Sequence, residues 1–140
     1  MQLESERLLL REFALADWPA LNAYTSDPEV VKYMSFGPDT AAETREHLAH
    51  CLATAAEEPR RIYELAVVLR ADQQLIGTAT LALHPDERRH ASFSYLFHPR
   101  AWATAMPRRP CAGWCSLVLP SSTCTGLRIP AIPAITPPHA

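Results

Sequence analysis

Few side chains in this sequence carry reactive chemistry at an informative spacing. His47, His50 and Cys51 cluster on one predicted helix, with two candidate ligands at i, i+3. A metal ion would need further ligands from a matching partner face. The group therefore reads as a solvated helix face, and no metal site is assigned. Cys111, Cys115, Cys124 and His139 lack zinc-finger spacing. Arg60-Arg61 and Arg88-Arg89 read as solvated turn charges rather than phosphate sites. No side chain declares itself a catalytic base or nucleophile, so the catalytic residues stay unknown.

The elements that must position any site are better defined. Arg7 to Phe13 reads as a strand centred on Leu8, Leu9 and Leu10. Asp17 can cap a short helix through Tyr24. Asp27-Pro28-Glu29 starts another, because Asp caps, Pro fits the first turn and Glu favours the positive end of the helix dipole. That helix is predicted to end near Met34, ahead of Gly37-Pro38. Thr40-Ala41-Ala42-Glu43 is a capping box. Behind it Thr44, Leu48, Cys51, Leu52 and Ala55 fall on one stripe. Strands follow over 63–69, 75–83 and 91–97, with a polar turn at 70–74 and a charged connection at 84–90. This order predicts an α/β (α+β) layered fold with a largely antiparallel sheet.

At 140 residues the chain is one domain at most, and 48% hydrophobic with 20% charged residues is ordinary globular composition. A net charge of -2 gives no reason to expect nucleic acid or an anionic membrane surface. No apolar run is long enough to span a bilayer. The acidic start Met1-Gln2-Leu3-Glu4-Ser5-Glu6 lacks a signal peptide's basic end and apolar core, so the expected location is cytoplasmic.

Composition changes abruptly after Trp102. All 15 acidic residues precede it, whereas seven of the 13 prolines and three of the four cysteines follow it. Residues 1–102 therefore form one unit and residues 103–140 an aberrant Pro/Cys-rich tail. Such a tail opposes helix and central-strand pairing.

Four stretches of the front part resemble the GNAT superfamily of acetyl-CoA-dependent N-acetyltransferases. They are Leu3 to Arg11, Ser26-Asp27-Pro28-Glu29-Val30-Val31-Lys32-Tyr33-Met34, Gln74-Leu75-Ile76-Gly77-Thr78, and Tyr95-Leu96-Phe97-His98-Pro99 with Trp102. Singly each is weak, but their order and distances are specific, and the similarity covers residues 1–102. The branch most resembled acetylates N-terminal Ser or Ala of ribosomal proteins. The resemblance implies a mostly antiparallel central sheet with flanking helices, here incomplete at its C-terminal part. It implies acetyl-CoA as donor and a small-molecule or protein N-terminal amine as acceptor, and it allows a homodimer. It places the backbone of Leu96, Phe97 and His98 against the cofactor, although the same stretch also reads as plain core strand. It places Met34, Ser35 and Phe36 on the acceptor side. Many relatives carry a Glu general base where this chain has Ser92.

The family next requires a glycine-rich loop opening a helix, whose amides cradle the pyrophosphate of coenzyme A. Ala103-Thr104-Ala105-Met106-Pro107-Arg108-Arg109-Pro110 contains no glycine and two prolines. Restoring one nucleotide after the Trp102 codon and regrouping the bases permits G-H-G-Y-A-A-E-A directly after the tryptophan. The fifth residue is forced to Ala, because Met106 has a single codon. The same shift permits L-H-R-I and C-D-P-R-N over Cys124 to Ile135, and A-S beyond them. The tail thus reads as family sequence in the wrong frame, whether in the gene itself or through an error in its reading. The alternative is a genuine Pro-rich disordered tail. In either case the chain as written is expected to be an impaired acetyltransferase or a non-catalytic truncated remnant.

Overall fold

A computed structural model describes residues 2–84 and 91–102. Five strands form one sheet in the order β1-β2-β3-β4-β5: β1 (Gln2–Glu4), β2 (Leu8–Arg11), β3 (Ile62–Leu69), β4 (Leu75–Leu83) and β5 (Ala91–Phe97). Every neighbouring pair is antiparallel. Three helices, α1 (Trp18–Thr25), α2 (Pro28–Val31) and α3 (Ala41–Ala55), lie between β2 and β3 in the chain. The expected layered architecture is the one observed. The loop sought at 103–110, the rest of the tail, Arg88-Arg89 and most of the 84–90 connection lie outside the described residues.

Local chemistry explains most boundaries. Thr40 accepts the Glu43 N–H at 3.3 Å, while the Glu43 carboxylate accepts the Thr40 N–H at 2.8 Å. This reciprocal cap satisfies two amides that the first turn of α3 leaves unpaired. Asp27 accepts the Glu29 N–H at 3.0 Å and starts α2, but α2 stops at Val31, short of the predicted Met34. Asp17 does not cap α1 through its side chain. Its carboxylate instead takes both arms of Arg11, at 2.7 and 2.9 Å, and the Ala14 N–H at 2.7 Å. The strand predicted over 7–13 is confined to Leu8–Arg11, and an unpredicted β1 precedes it: Ser5 turns the chain by accepting the Leu8 N–H at 3.0 Å, and β1 doubles back onto β2.

Strand alternation divides the core between the two faces of the sheet. Leu8, Leu10, Leu65, Val67, Leu81, Phe93 and Phe97 cluster on one face. On the other, Ala66 packs beneath Phe13, Leu21, Tyr24, Val30, Leu48 and Cys51. Helices α1 and α3 are locked together by Asn22 donating to Thr44 Oγ1 at 2.7 Å and by the Arg45 guanidinium 3.9 Å above the Trp18 ring. Arg60 corrects the expectation of a solvated charge. It forms a bidentate pair with Glu12 at 2.6 and 3.0 Å, lies 4.6 Å from the centre of the Tyr63 ring, and is only 12% exposed.

Candidate active site

Helices α1 and α3 do not cover the whole of their sheet face, and a cleft of about 400 Å³ remains beside them. Its floor is Glu64 on β3, Thr78 and Thr80 on β4, and Ser94 and Leu96 on β5. These side chains share one face because they stand at alternate positions along their strands. Its walls are Leu21 and Thr25 of α1, Met34 and Phe36 beyond α2, and Asp39, Glu43 and His47 at the start of α3. Thus the cleft gathers Met34, Phe36 and Leu96, predicted separately for the acceptor and the cofactor. Ser35 is exposed beside it, and Phe97 is turned into the opposite core. His98 lines a second cleft of about 590 Å³ with Arg11, Asp17 and Arg100.

The backbone of β5 is oriented by its register. His98 N–H donates to Ile76 O at 2.8 Å, and Leu96 stands opposite Thr78 with Phe97 opposite Gly77. Alternation then directs the backbone groups of Leu96 toward β4 and those of Phe97 away from it. The Phe97 carbonyl accepts the indole N–H of Trp102 at 3.0 Å, which ties the end of β5 to the turn at Pro99–Ala101. Ser92, where the resemblance leads one to expect a glutamate, lies 2.9 Å from His84 Nε2. The strand segment therefore brings no carboxylate of its own.

Carboxylates reach the cleft from elsewhere. Asp39, Glu43 and Glu64 line it with His47, and no lysine or arginine is among its described lining residues. Glu43 is held below the usual carboxylate range by its bonds from the Thr40 backbone and hydroxyl. Glu64 Oε1 lies 2.7 Å from His47 Nε2, and Cys51 Sγ lies 3.5 Å from the same nitrogen. Hydrogen bonds to Cys51 and Glu64, aided by the Glu64 charge, push His47 up to about 10 despite its partial burial. Burial pushes the Cys51 thiol up, which makes it a poor nucleophile. This corrects the expected solvated helix face. Cys51 is 3% exposed and His47, though half-exposed, leans onto β3, while His50 stays fully at the surface. Sequence reasoning missed Glu64, whose only signal was an acid inside an otherwise apolar strand.

Comparison with known proteins agrees with this geometry. A model of the acetyltransferase (GNAT) domain matches residues 7–119, continuing past Trp102. The chain is 35% identical over 77 residues to the uncharacterized N-acetyltransferase YnaD of Bacillus subtilis, covering 55% of this chain and 42% of that one. It superposes on a GNAT-family acetyltransferase from Bacillus anthracis with a TM-score of 0.62 at 26% identity, over 75% of this chain and 58% of that one. RimL, a ribosomal-protein alpha-N-acetyltransferase solved in complex with coenzyme A, shares the fold at a TM-score of 0.57 and 16% identity, over 69% and 56% of the two chains. The chain thus spans about half the length of these relatives. With the antiparallel sheet, the helix pair on one face and a family match over most of its length, this chain belongs to the GNAT acetyltransferase family.

Proposed function

We propose that this domain serves transfer of an acetyl group from acetyl-CoA to an amine. The observation that carries the reading is the cleft itself. It joins the Leu96 end of β5 to Asp39 and Glu43 on the wall and Glu64 on the floor; even with Glu64 paired to His47, two carboxylates and no described lysine or arginine remain, an environment that draws in a cationic amine. The donor's pantetheine arm lies along the edge of β5 at Leu96, Phe97 and His98, where Phe97 turns its backbone away from β4, and the acceptor enters past Met34, Ser35 and Phe36. The amine nitrogen attacks the thioester carbonyl carbon, and an oxyanion forms that must be stabilised by backbone donors. Its collapse breaks the C–S bond and releases the coenzyme A thiolate, which recovers the proton lost by the amine. The base position stays unassigned, since Ser92 cannot serve as one.

The finer reading follows the sequence. The acceptor class is an N-terminal Ser or Ala of a ribosomal protein, in line with RimL's fold, or else a small amine. The chain of 140 residues is an impaired form whose segment 103–140 is family sequence in a shifted frame. The absence of glycine from 103–110 supports this, because the pyrophosphate then lacks closely approaching amides. The second reading, a remnant without catalytic capacity, rests on the same feature. Calorimetry with acetyl-CoA separates them when applied to this chain and to a frame-restored chain. Negligible heat from the first and saturable binding by the second is the expected pair. Tight binding by the 140-residue chain would rule out the remnant, and no binding by the restored chain would rule out acetyl transfer.

A further inference from the structure

Three donor atoms of different kinds converge where α3 meets β3. His47 and Cys51 stand at i and i+4, so their side chains emerge on one helix face, one turn apart. Glu64 projects toward them from β3, out of an otherwise apolar strand. Nε2 of His47, Sγ of Cys51 and a Glu64 carboxylate oxygen all lie within 4.8 Å of one another. Both contacts of His47 fall on the same ring nitrogen, Nε2. A nucleophile–base–acid relay uses the two ring nitrogens separately, so this arrangement is not a relay. It is the pattern of ligands facing a common centre.

We propose that His47 Nε2, Cys51 Sγ and Glu64 form a three-ligand site for a zinc-class divalent cation, with its fourth position open to the acceptor cleft. Tetrahedral zinc with bonds of about 2.0–2.3 Å sets its ligand atoms about 3.3–3.6 Å apart. The sulfur–nitrogen separation of 3.5 Å already fits. The nitrogen–oxygen separation of 2.7 Å must widen by about 0.6 Å, and the sulfur–oxygen pair, within 4.8 Å, must settle at about 3.5 Å; rotation of the Glu64 carboxylate away from His47 and toward Cys51 serves both. A thiolate, an imidazole and a carboxylate together select zinc over magnesium or calcium, which take oxygen ligands. Cys51, almost fully buried, closes the site from behind, while His47 and Glu64 line the cleft. Three protein ligands with one exchangeable position is the arrangement of zinc sites that bind water or a substrate atom. Binding exchanges the cation for the protons of the thiol and of the His47 ring. The inference does not depend on acetyl transfer.

The test uses the full chain with Cys111, Cys115 and Cys124 each replaced by Ser, so that Cys51 is the sole thiol. Co2+ is added as a spectroscopic stand-in for Zn2+. The expected result is one equivalent bound, with the intense visible bands of a tetrahedral ion and a near-ultraviolet thiolate charge-transfer band, both removed by Zn2+. Cys51→Ser should abolish the charge-transfer band. His47→Gln, at a half-exposed position and checked by circular dichroism for an unchanged fold, should weaken binding roughly tenfold or more. Saturation without a thiolate band, or His47→Gln binding as tightly as its parent, would show a hydrogen-bonded cluster only and overturn the site.

Discussion

Gly77 is the residue whose replacement most directly tests how β5 is seated. It stands opposite Phe97 in the β4–β5 ladder, and the Phe97 ring lies across it. A Cβ built on Gly77 would overlap the Leu96 carbonyl oxygen and the Phe97 ring, and would sit 3.1 Å from Phe97 Cα. Two of these obstacles are backbone, which cannot swing aside as a side-chain tip can. Gly77→Ala must therefore push β5 off β4 at Leu96 and Phe97, where the hydrogen bond from His98 to Ile76 closes the ladder. Overpacking of this kind costs about 1–3 kcal/mol, and more where backbone must move. With a urea slope of roughly 1–3 kcal/mol/M, a loss near 2 kcal/mol lowers the unfolding midpoint by about 1 M. Gly37 supplies the control, since nothing lies within 4 Å of a Cβ there. Gly37→Ala should be neutral or gain about 0.4–1 kcal/mol, by restricting the unfolded chain. Urea unfolding of both variants, followed by far-ultraviolet circular dichroism, gives the comparison. If Gly77→Ala unfolds at the parent midpoint, or if Gly37→Ala is the more damaging change, the close seating of β5 on β4 is wrong.

Two further outcomes follow from buried polar contacts. Tyr24 Oη and Thr78 Oγ1 share a 2.6 Å hydrogen bond in the core. Tyr24→Phe strands the Thr78 hydroxyl and should cost about 1–3 kcal/mol, while adding Thr78→Val should recover part of that loss in a double-mutant cycle. Burial works to raise the Asp17 carboxyl, but the Arg11 fork and the Ala14 N–H outweigh it and hold Asp17 below its ordinary value of 3.8. A depressed native value means that this stabilisation is complete above the unfolded value, near pH 4, and fades as pH falls through the native one. Asp17→Asn should therefore lower stability at pH 7 by about 1–3 kcal/mol and flatten the acid limb of the stability curve. An acid limb as steep as the parent's would remove Asp17 from the account.

What the sequence determined by itself was whatever a few neighbouring residues settle among themselves. The Thr40–Glu43 cap, Thr44, Leu48 and Cys51 of the α3 stripe, and the full extents of β4 and β5 were legible because helix capping and strand alternation act over three or four residues; Thr54, buried where Leu52 and Ala55 were expected, was not. The four stretches that resemble the GNAT family were legible too, as was the change of composition after Trp102. Tertiary structure alone decided the rest. Asp17 had two local options, and the fork of Arg11, brought across by the fold, drew its carboxylate away from capping. Residues before Ser5 became a strand only because β2 offered them an edge. The cleft exists because α1 and α3 leave part of the sheet face bare, which no periodicity records. His47 and Cys51 gained chemical meaning when β3 delivered Glu64 to them. Contacts between residues far apart in sequence depend on how helices and sheet stack, and a pattern read along one strand or one helix turn does not contain that stacking.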